Sequence, residues 1–296
     1  MYFPEPYPDE LLGSLFIRAS HHLGLAPWAL RTSLSNGSNR MLSFIYPTLV
    51  NEAARLTGMS PHELLWRHTV LPYLSTALDP SCRDIIETQL LNSTAHRSSL
   101  RLISTFPPRI RALSFRRFCE TCQRHDINVR GESYWHRAHM LPGVLVCPIH
   151  GSPLHVSQVP LLANITRSHN SLPQEVHGER GRWSADEALL RDLASEVLAA
   201  LTPEMDFWND SLPSYRDTAT RCGYNYSARG KLRSQLAIDF EHRFGHRFLE
   251  ELGLPVRTLS SSAWPVELLR GRRPATQLQL RHILLRIFLR RTPHGL

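Results

Sequence analysis

The chain has 296 residues, enough for one large core or two to three small ones, and 42% of them are hydrophobic, which excludes wholesale disorder. Its formal net charge of +8 is almost all arginine, since Lys231 is the one lysine, and this excess favours a polyanionic partner. A membrane span is not expected, because the longest apolar stretch, Leu278 to Leu289, is broken by Arg281, His282 and Arg286 and falls short of roughly 20 residues. The opening Met1-Tyr-Phe-Pro-Glu-Pro-Tyr-Pro-Asp-Glu10 has neither the basic nor the apolar region of a secretory signal, so a cytoplasmic location is expected.

Residues 1–105 read as a helical, helix-turn-helix region. Pro8-Asp9-Glu10 opens a segment with Leu11, Leu12, Leu15, Phe16 and Ala19 at helical spacing, ending near Gly24. Pro27 starts a shorter helix through Leu34, closed by Ser35-Asn36-Gly37. Leu49, Ala53 and Leu56 form the apolar side of a third helix, and Thr57-Gly58-Met59 is a turn. Ser60-Pro61-His62-Glu63 then supplies an N-cap, a proline at the first helical position and a capping-box glutamate.

Asn51 to Leu64 is therefore helix, glycine-bearing turn, helix. That outline belongs to DNA-reading units, and equally to many all-α proteins with no DNA role. His62, Arg67 and His68 are its residues best able to reach bases or phosphates. Between Thr94 and Phe118, Arg97, Arg101, Arg109, Arg111, Arg116 and Arg117 form a basic connector broken by Pro107-Pro108. It reads either as a solvated face or as a positive rim beside the module that follows.

Residues 106–160 hold the distinctive chemistry. Cys119-Glu-Thr-Cys122 and Cys147-Pro-Ile-His150 each place two metal ligands with two residues between them, so that one tight turn aims both at one ion. Three thiolates and an imidazole make a closed tetrahedral set. One structural Zn²⁺ on Cys119, Cys122, Cys147 and His150 is expected, with no position left for substrate. Thiolate ligands must stay reduced, in keeping with a cytoplasmic compartment. A rival set, Cys119, Cys122, His136 and His139, approximates a two-Cys, two-His finger but strands Cys147. Tyr134 and Trp135 are expected to give the module its apolar core, and Cys82 and Cys222 to be buried apolar fillers.

No catalytic signature accompanies the cysteines, and the chain is not expected to be an enzyme. Gly223 to Lys231 has the wrong glycine spacing for a P-loop and Leu232 in place of its Ser or Thr. No His-Glu-x-x-His occurs, and Phe118 stands where a deaminase needs proline before Cys119. A dispersed metal-dependent nuclease set among the acidic residues stays open.

Residues 161–182 read as a polar linker and 183–296 as a C-terminal helical domain. Ser184-Ala-Asp-Glu187 is a capping box opening a helix with Leu189, Leu190, Leu193, Val197 and Leu198 on one face. A helix from about Arg229 to Phe244 turns at Gly245 into His246 to Leu252, a second helix-turn-helix-like pair fringed by Arg229, Lys231, Arg233, Arg243 and Arg247. These five join His62, Arg67 and His68 as candidate nucleic-acid contacts. The last helix, Ala275 to Arg291, turns Leu278, Ile283, Leu284, Ile287 and Phe288 inward and leaves Arg281, Arg286 and Arg290 to face out. The fold class is thus mainly α around a small structural zinc-binding module.

The block Arg117-Phe-Cys-Glu-Thr-Cys122, Gly131-Glu-Ser-Tyr-Trp-His-Arg-Ala-His-Met-Leu-Pro-Gly143 and Cys147-Pro-Ile-His-Gly151 resembles the TniQ/TnsD family. Pro4-Glu-Pro-Tyr-Pro-Asp-Glu-Leu-Leu12 and His68-Thr-Val-Leu-Pro72 are similar to the same family's N-terminal region, so the resemblance covers about residues 1–155. The remainder, including Arg281-His-Ile-Leu-Leu285, is similar in style to longer members. The resemblance implies a non-catalytic target-site selector for DNA transposition, with its metal ligands at Cys119, Cys122, Cys147 and His150. Such proteins bind a target DNA site or dock on a CRISPR effector complex with its guide RNA, and recruit the AAA+ ATPase TnsC. Direct DNA reading, guide-complex docking and a homodimeric assembly all stay open. A zinc-stabilised helix-turn-helix transcriptional regulator is the alternative reading.

Overall fold

The computed structural model describes residues 2–35, 41–76, 78, 80–92, 114–202, 212–224, 231–257, 263–270 and 278–291. Among the described residues it is mainly α, as expected, with thirteen α-helices and one three-stranded sheet. No helix there is long and apolar enough to cross a membrane.

The first four helices fall where the periodicity puts them: α1 (Leu12–His22), α2 (Pro27–Ser35), α3 (Val50–Thr57) and α4 (Pro61–Arg67). Gly58, at φ 73°, ends α3 in the left-handed region that glycine enters without steric cost. Ser60 then caps α4 by accepting from the Glu63 amide at 3.1 Å. Two further helices, α5 (Leu71–Ser75) and α6 (Pro80–Leu91), complete this side.

The sheet is a feature that the sequence reading does not contain. It consists of β1 (Phe115–Phe118), β2 (His155–Pro160) and β3 (Gly178–Arg180), antiparallel in that order, and α7 (Glu120–Arg130) leaves directly from β1. Arg116 and Arg117, expected in the basic connector, are both buried in β1. Arg117 donates to the carbonyls of His139 and Leu141 at 2.9 and 3.1 Å. Arg116 lays its guanidinium 3.6 Å from the Phe44 ring centroid and donates to the His169 carbonyl. Burial pulls Arg116 down to about 9 and Arg117 to about 10. At these two positions there is no positive rim; Arg97, Arg101, Arg109, Arg111 and Pro107-Pro108 lie outside the described residues.

The segment 161–182 is folded in place and is not a free tether. β3 pairs with β2, and Leu161, Ile165 and Leu172 are buried. The Trp135 indole donates to the Ser171 carbonyl at 2.8 Å, and the Asn170 amide to Ser20 Oγ at 3.1 Å. A polar composition hid three apolar anchors, which are enough to seat the segment.

The N-terminal helices and the cysteine region share one core. The Leu11 amide donates to the Trp135 carbonyl at 3.1 Å, and Ser14 Oγ accepts from the Trp135 amide at 2.9 Å. Asp9 accepts from the Arg137 amide, from Arg137 Nε and from the Ala138 amide. Fully buried Trp135 stands edge-on to Phe44 and Phe118. Tyr134 donates to the Pro8 carbonyl at 3.0 Å. The expected module core therefore belongs jointly to the module and to the first 50 residues.

The C-terminal part comprises α8 (Glu187–Ala199), α9 (Leu212–Arg221), α10 (Lys231–Phe244), α11 (His246–Glu251), α12 (Trp264–Leu269) and α13 (Leu278–Arg291). The capping box expected from Ser184 does not form, and the N-cap falls two residues later. Asp186 caps α8 by accepting from the Leu189 amide at 2.7 Å, while the Ser184 amide and hydroxyl both donate to Glu251. Asp186 wins because it directly precedes the first helical residue and its carboxylate is the stronger acceptor. Arg281, expected to face out, is half-buried against the Trp264 ring, and burial pulls it down to about 10. Cys82 and Cys222 are half-buried, the latter donating to the Leu289 carbonyl.

The turn Leu141-Pro-Gly143 seats the cysteine region on α8 and α13. Gly143 has φ 90°, and a Cβ there would lie 2.9 Å from both Leu280 Cδ1 and Val197 Cγ2. Gly143→Ala is expected to cost about 1–3 kcal/mol, through backbone strain and overpacking. A urea unfolding midpoint would read this directly; an unchanged midpoint would show that the turn tolerates a side chain.

Candidate metal centre

Each half of the centre is aimed by local backbone. Cys119 is the extended residue before α7 (φ −104°, ψ 125°) and Cys122 lies in the first turn of that helix, so the strand-to-helix corner points both sulfurs one way. In the second half, the Val146↔Pro153 bridge closes a turn in which the Cys147 amide donates to the Ser152 carbonyl at 2.7 Å. The Gly151 amide returns to the Cys147 carbonyl at 2.8 Å, and its φ of 67° is the left-handed conformation that makes the trailing glycine fit.

The ligand atoms of Cys119, Cys122, Cys147 and His150 all lie within 4.8 Å of one another, and this group could hold a metal ion. His150 Nδ1 stands 3.6, 3.3 and 3.5 Å from the sulfurs of Cys119, Cys122 and Cys147. Cys122 Sγ and Cys147 Sγ are 3.6 Å apart, beyond disulfide bonding. A tetrahedral ion with metal–sulfur bonds near 2.3 Å and metal–nitrogen bonds near 2.0–2.1 Å requires about 3.8 Å between sulfurs and about 3.6 Å from sulfur to nitrogen. The four residues meet that test.

The Cys122 and Cys147 thiols, as donors, pull Cys119 far below the ordinary thiol range. The same contact with Cys119 pushes Cys122 and Cys147 up. A divalent ion would stabilise all three as thiolates at once. Ser152 Oγ lies 3.5 Å from Cys119 Sγ, in reach to support that sulfur.

The rival ligand set is not gathered. His136 Nε2 instead pairs with the buried carboxylate of Asp126 on α7 at 2.9 Å and stacks on Tyr134. The His139 ring is buried, and burial holds its basicity well below the ordinary imidazole value. Asp126 is the residue that sequence reasoning missed; its place one helical turn beyond Cys122, on the same face, was the available signal.

The candidate nucleic-acid contacts are dispersed. His62 and Arg67 lie exposed on α4, the first 3.2 Å from Glu87 and the second 2.9 Å from Glu63. His68 is buried, its Nδ1 2.8 Å from the Glu10 carbonyl, so it joins the core and does not face solvent. Its chain neighbours made it look like part of an exposed helix end, but Glu10 covers it. Arg243 is exposed on α10, and Arg247 on α11 pairs with Glu251. Lys231 and Arg233 belong to α10 by backbone, and Arg229 lies outside the described residues.

The class so defined is a helical protein whose N-terminal half is locked around a closed Cys₃His centre. The TniQ family model matches residues 1–154, and the chain belongs to that family. It is also 26% identical over 155 residues to the Transposon Tn7 transposition protein TnsD of Escherichia coli, a match covering 51% of this chain and 30% of that protein. The matched stretch thus takes in under a third of that relative's length.

Proposed function

We propose that this chain is a non-catalytic targeting protein of DNA transposition, which engages target DNA and recruits an AAA+ ATPase of the TnsC type. The observation that carries the reading is the coincidence of the family match, residues 1–154, with the unit built from α1 to α7 and the Cys₃His centre. On this reading the centre holds one Zn²⁺ through Cys119, Cys122, Cys147 and His150. All four positions of a tetrahedral ion are filled by protein, which suits a structural role and leaves no place for an attacking water. The charge of +8 supports a polyanionic partner.

Retention of the ATPase on DNA tests the reading. Purified TnsC-type ATPase from the same transposon is passed over an immobilised target fragment with and without this protein. Retention that depends on the protein is the expected result. Binding beside its own promoter, with no effect on the ATPase, would support a transcriptional regulator instead. Co-purification with a guide-RNA effector, without affinity for DNA at low salt, would replace direct DNA engagement by docking on that complex.

A further inference from the structure

Several exposed arginines are paired, and others, Arg55, Arg124, Arg167, Arg243 and Arg257 among them, stand apart without an ion pair among the described residues; two unpaired ones lie side by side. Arg67, Arg191, Arg247 and Arg290 each close on a carboxylate, those of Glu63, Glu187, Glu251 and Glu196. Arg180 and Arg182 are exposed yet have no ion-pair partner among the described residues. They lie at and just beyond the end of β3, an outermost strand of the sheet. Together with His177, Gln158 and Phe115 they line an open groove of 1220 Å³, where Glu179 is the one carboxylate.

Positions 180 and 182 are two residues apart along the chain, and both side chains border the groove. Planar guanidinium forks left without internal acceptors are suited to bidentate contact with phosphate oxygens. The open groove is far larger than one small anion needs, which favours a polymer. Phe115 is half-buried and His177 is the one exposed ring in the groove, short of a platform for successive bases, so backbone contact is favoured over capture of a single strand.

The groove is also firmly held. A Cβ on Gly178 would lie 2.7 Å from the Phe118 ring, so β3 sits tight against the residue preceding Cys119. The Gly181 amide donates to the Leu154 carbonyl at 2.9 Å, tying the other end to β2's approach. The metal corner and the arginine-bearing edge are therefore parts of one small scaffold.

The geometry points to this groove as a docking surface for the sugar-phosphate backbone of duplex DNA, with Arg180 and Arg182 each neutralising one phosphate. It rests on the reading of DNA as partner, and adds a contact surface outside both helix-turn-helix-like pairs.

The test compares the full chain with its Arg180→Gln/Arg182→Gln variant, by fluorescence anisotropy on a random-sequence duplex over a range of salt. Loss of two phosphate contacts lowers the magnitude of the slope of log affinity against log salt by about 1.8. Affinity at low salt falls roughly tenfold, with the thermal melt unchanged. Arg290→Gln, which removes a paired arginine, leaves the slope as it was. Should the double variant misfold, Arg180→Gln and Arg182→Gln made singly are each expected to lower the magnitude of the slope by about 0.9, and an unchanged slope in both overturns the groove.

An unchanged slope in a folded Gln variant, with the parent protein binding duplex normally, overturns the groove and leaves the targeting reading intact. A parent protein with no affinity for duplex overturns both. A loss confined to single-stranded RNA or to a polyglutamate peptide also overturns the assignment.

Discussion

Replacing Cys122 by alanine is expected to melt the cysteine region as a whole. The eleven residues of α7 bury only Cys122 and Asp126, and every other side chain is exposed or half-buried. A free helix of this length is marginal in water, so α7 depends on its two anchors. A structural zinc typically contributes about 10–16 kcal/mol of apparent binding free energy, comparable with the stability of an entire domain. Cys122→Ala should therefore release α7, expose residues 120–151 to protease and lower the far-UV helical signal. A chelator should reproduce the effect on the parent protein. A variant with the parent's melt and cleavage pattern would show that α7 stands without metal.

The second large effect is expected at Arg18. Its side chain is 2% exposed and is held by Glu10 at 2.6 Å, Glu132 at 2.8 Å and the Tyr7 ring at 3.5 Å. Arg18→Met leaves the buried Glu10 carboxyl without its cation, a loss of about 3–5 kcal/mol. The pH dependence follows from Glu10, which burial pushes up to about 7 although Arg18 pulls it the other way. A raised folded value means that the folded protein holds this proton more tightly than the unfolded chain does. The associated stability is complete below the unfolded value of 4.5 and is lost as pH rises through about 7. Without Arg18 the folded value climbs further, so the cost of Arg18→Met should be larger at pH 8 than at pH 5. Adding Glu10→Gln should recover much of it. A cost that is flat between those pH values would mean that Glu10 does not ionise in the fold.

This buried pair explains why widely separated stretches of the sequence carry one signature. Glu10 lies in the proline-rich opening, Glu132 in the Gly131 to Gly143 block and His68 before Pro72, and Arg18 and Glu10 draw all three together. Helices α1 to α4 and the clustering of Cys119, Cys122, Cys147 and His150 were legible because apolar spacing, Ser60, Gly58 and the two knuckles are local signals. The sheet was not. Phe115-Arg-Arg-Phe118 looks solvated, and partner carbonyls from residues 139, 141 and 169, with the Phe44 ring, help make two adjacent buried arginines tenable. His68 and the segment 161–182 were misread for the same reason: what covers or anchors them lies 58 and 36 residues away.

Metal analysis of the purified chain tests the central claim most directly. One zinc per protein is predicted, falling to none in Cys147→Ser and accompanied there by loss of α7. A full-length, folded protein with no bound metal, or one that keeps its zinc after loss of Cys147, would contradict a structural Cys₃His centre.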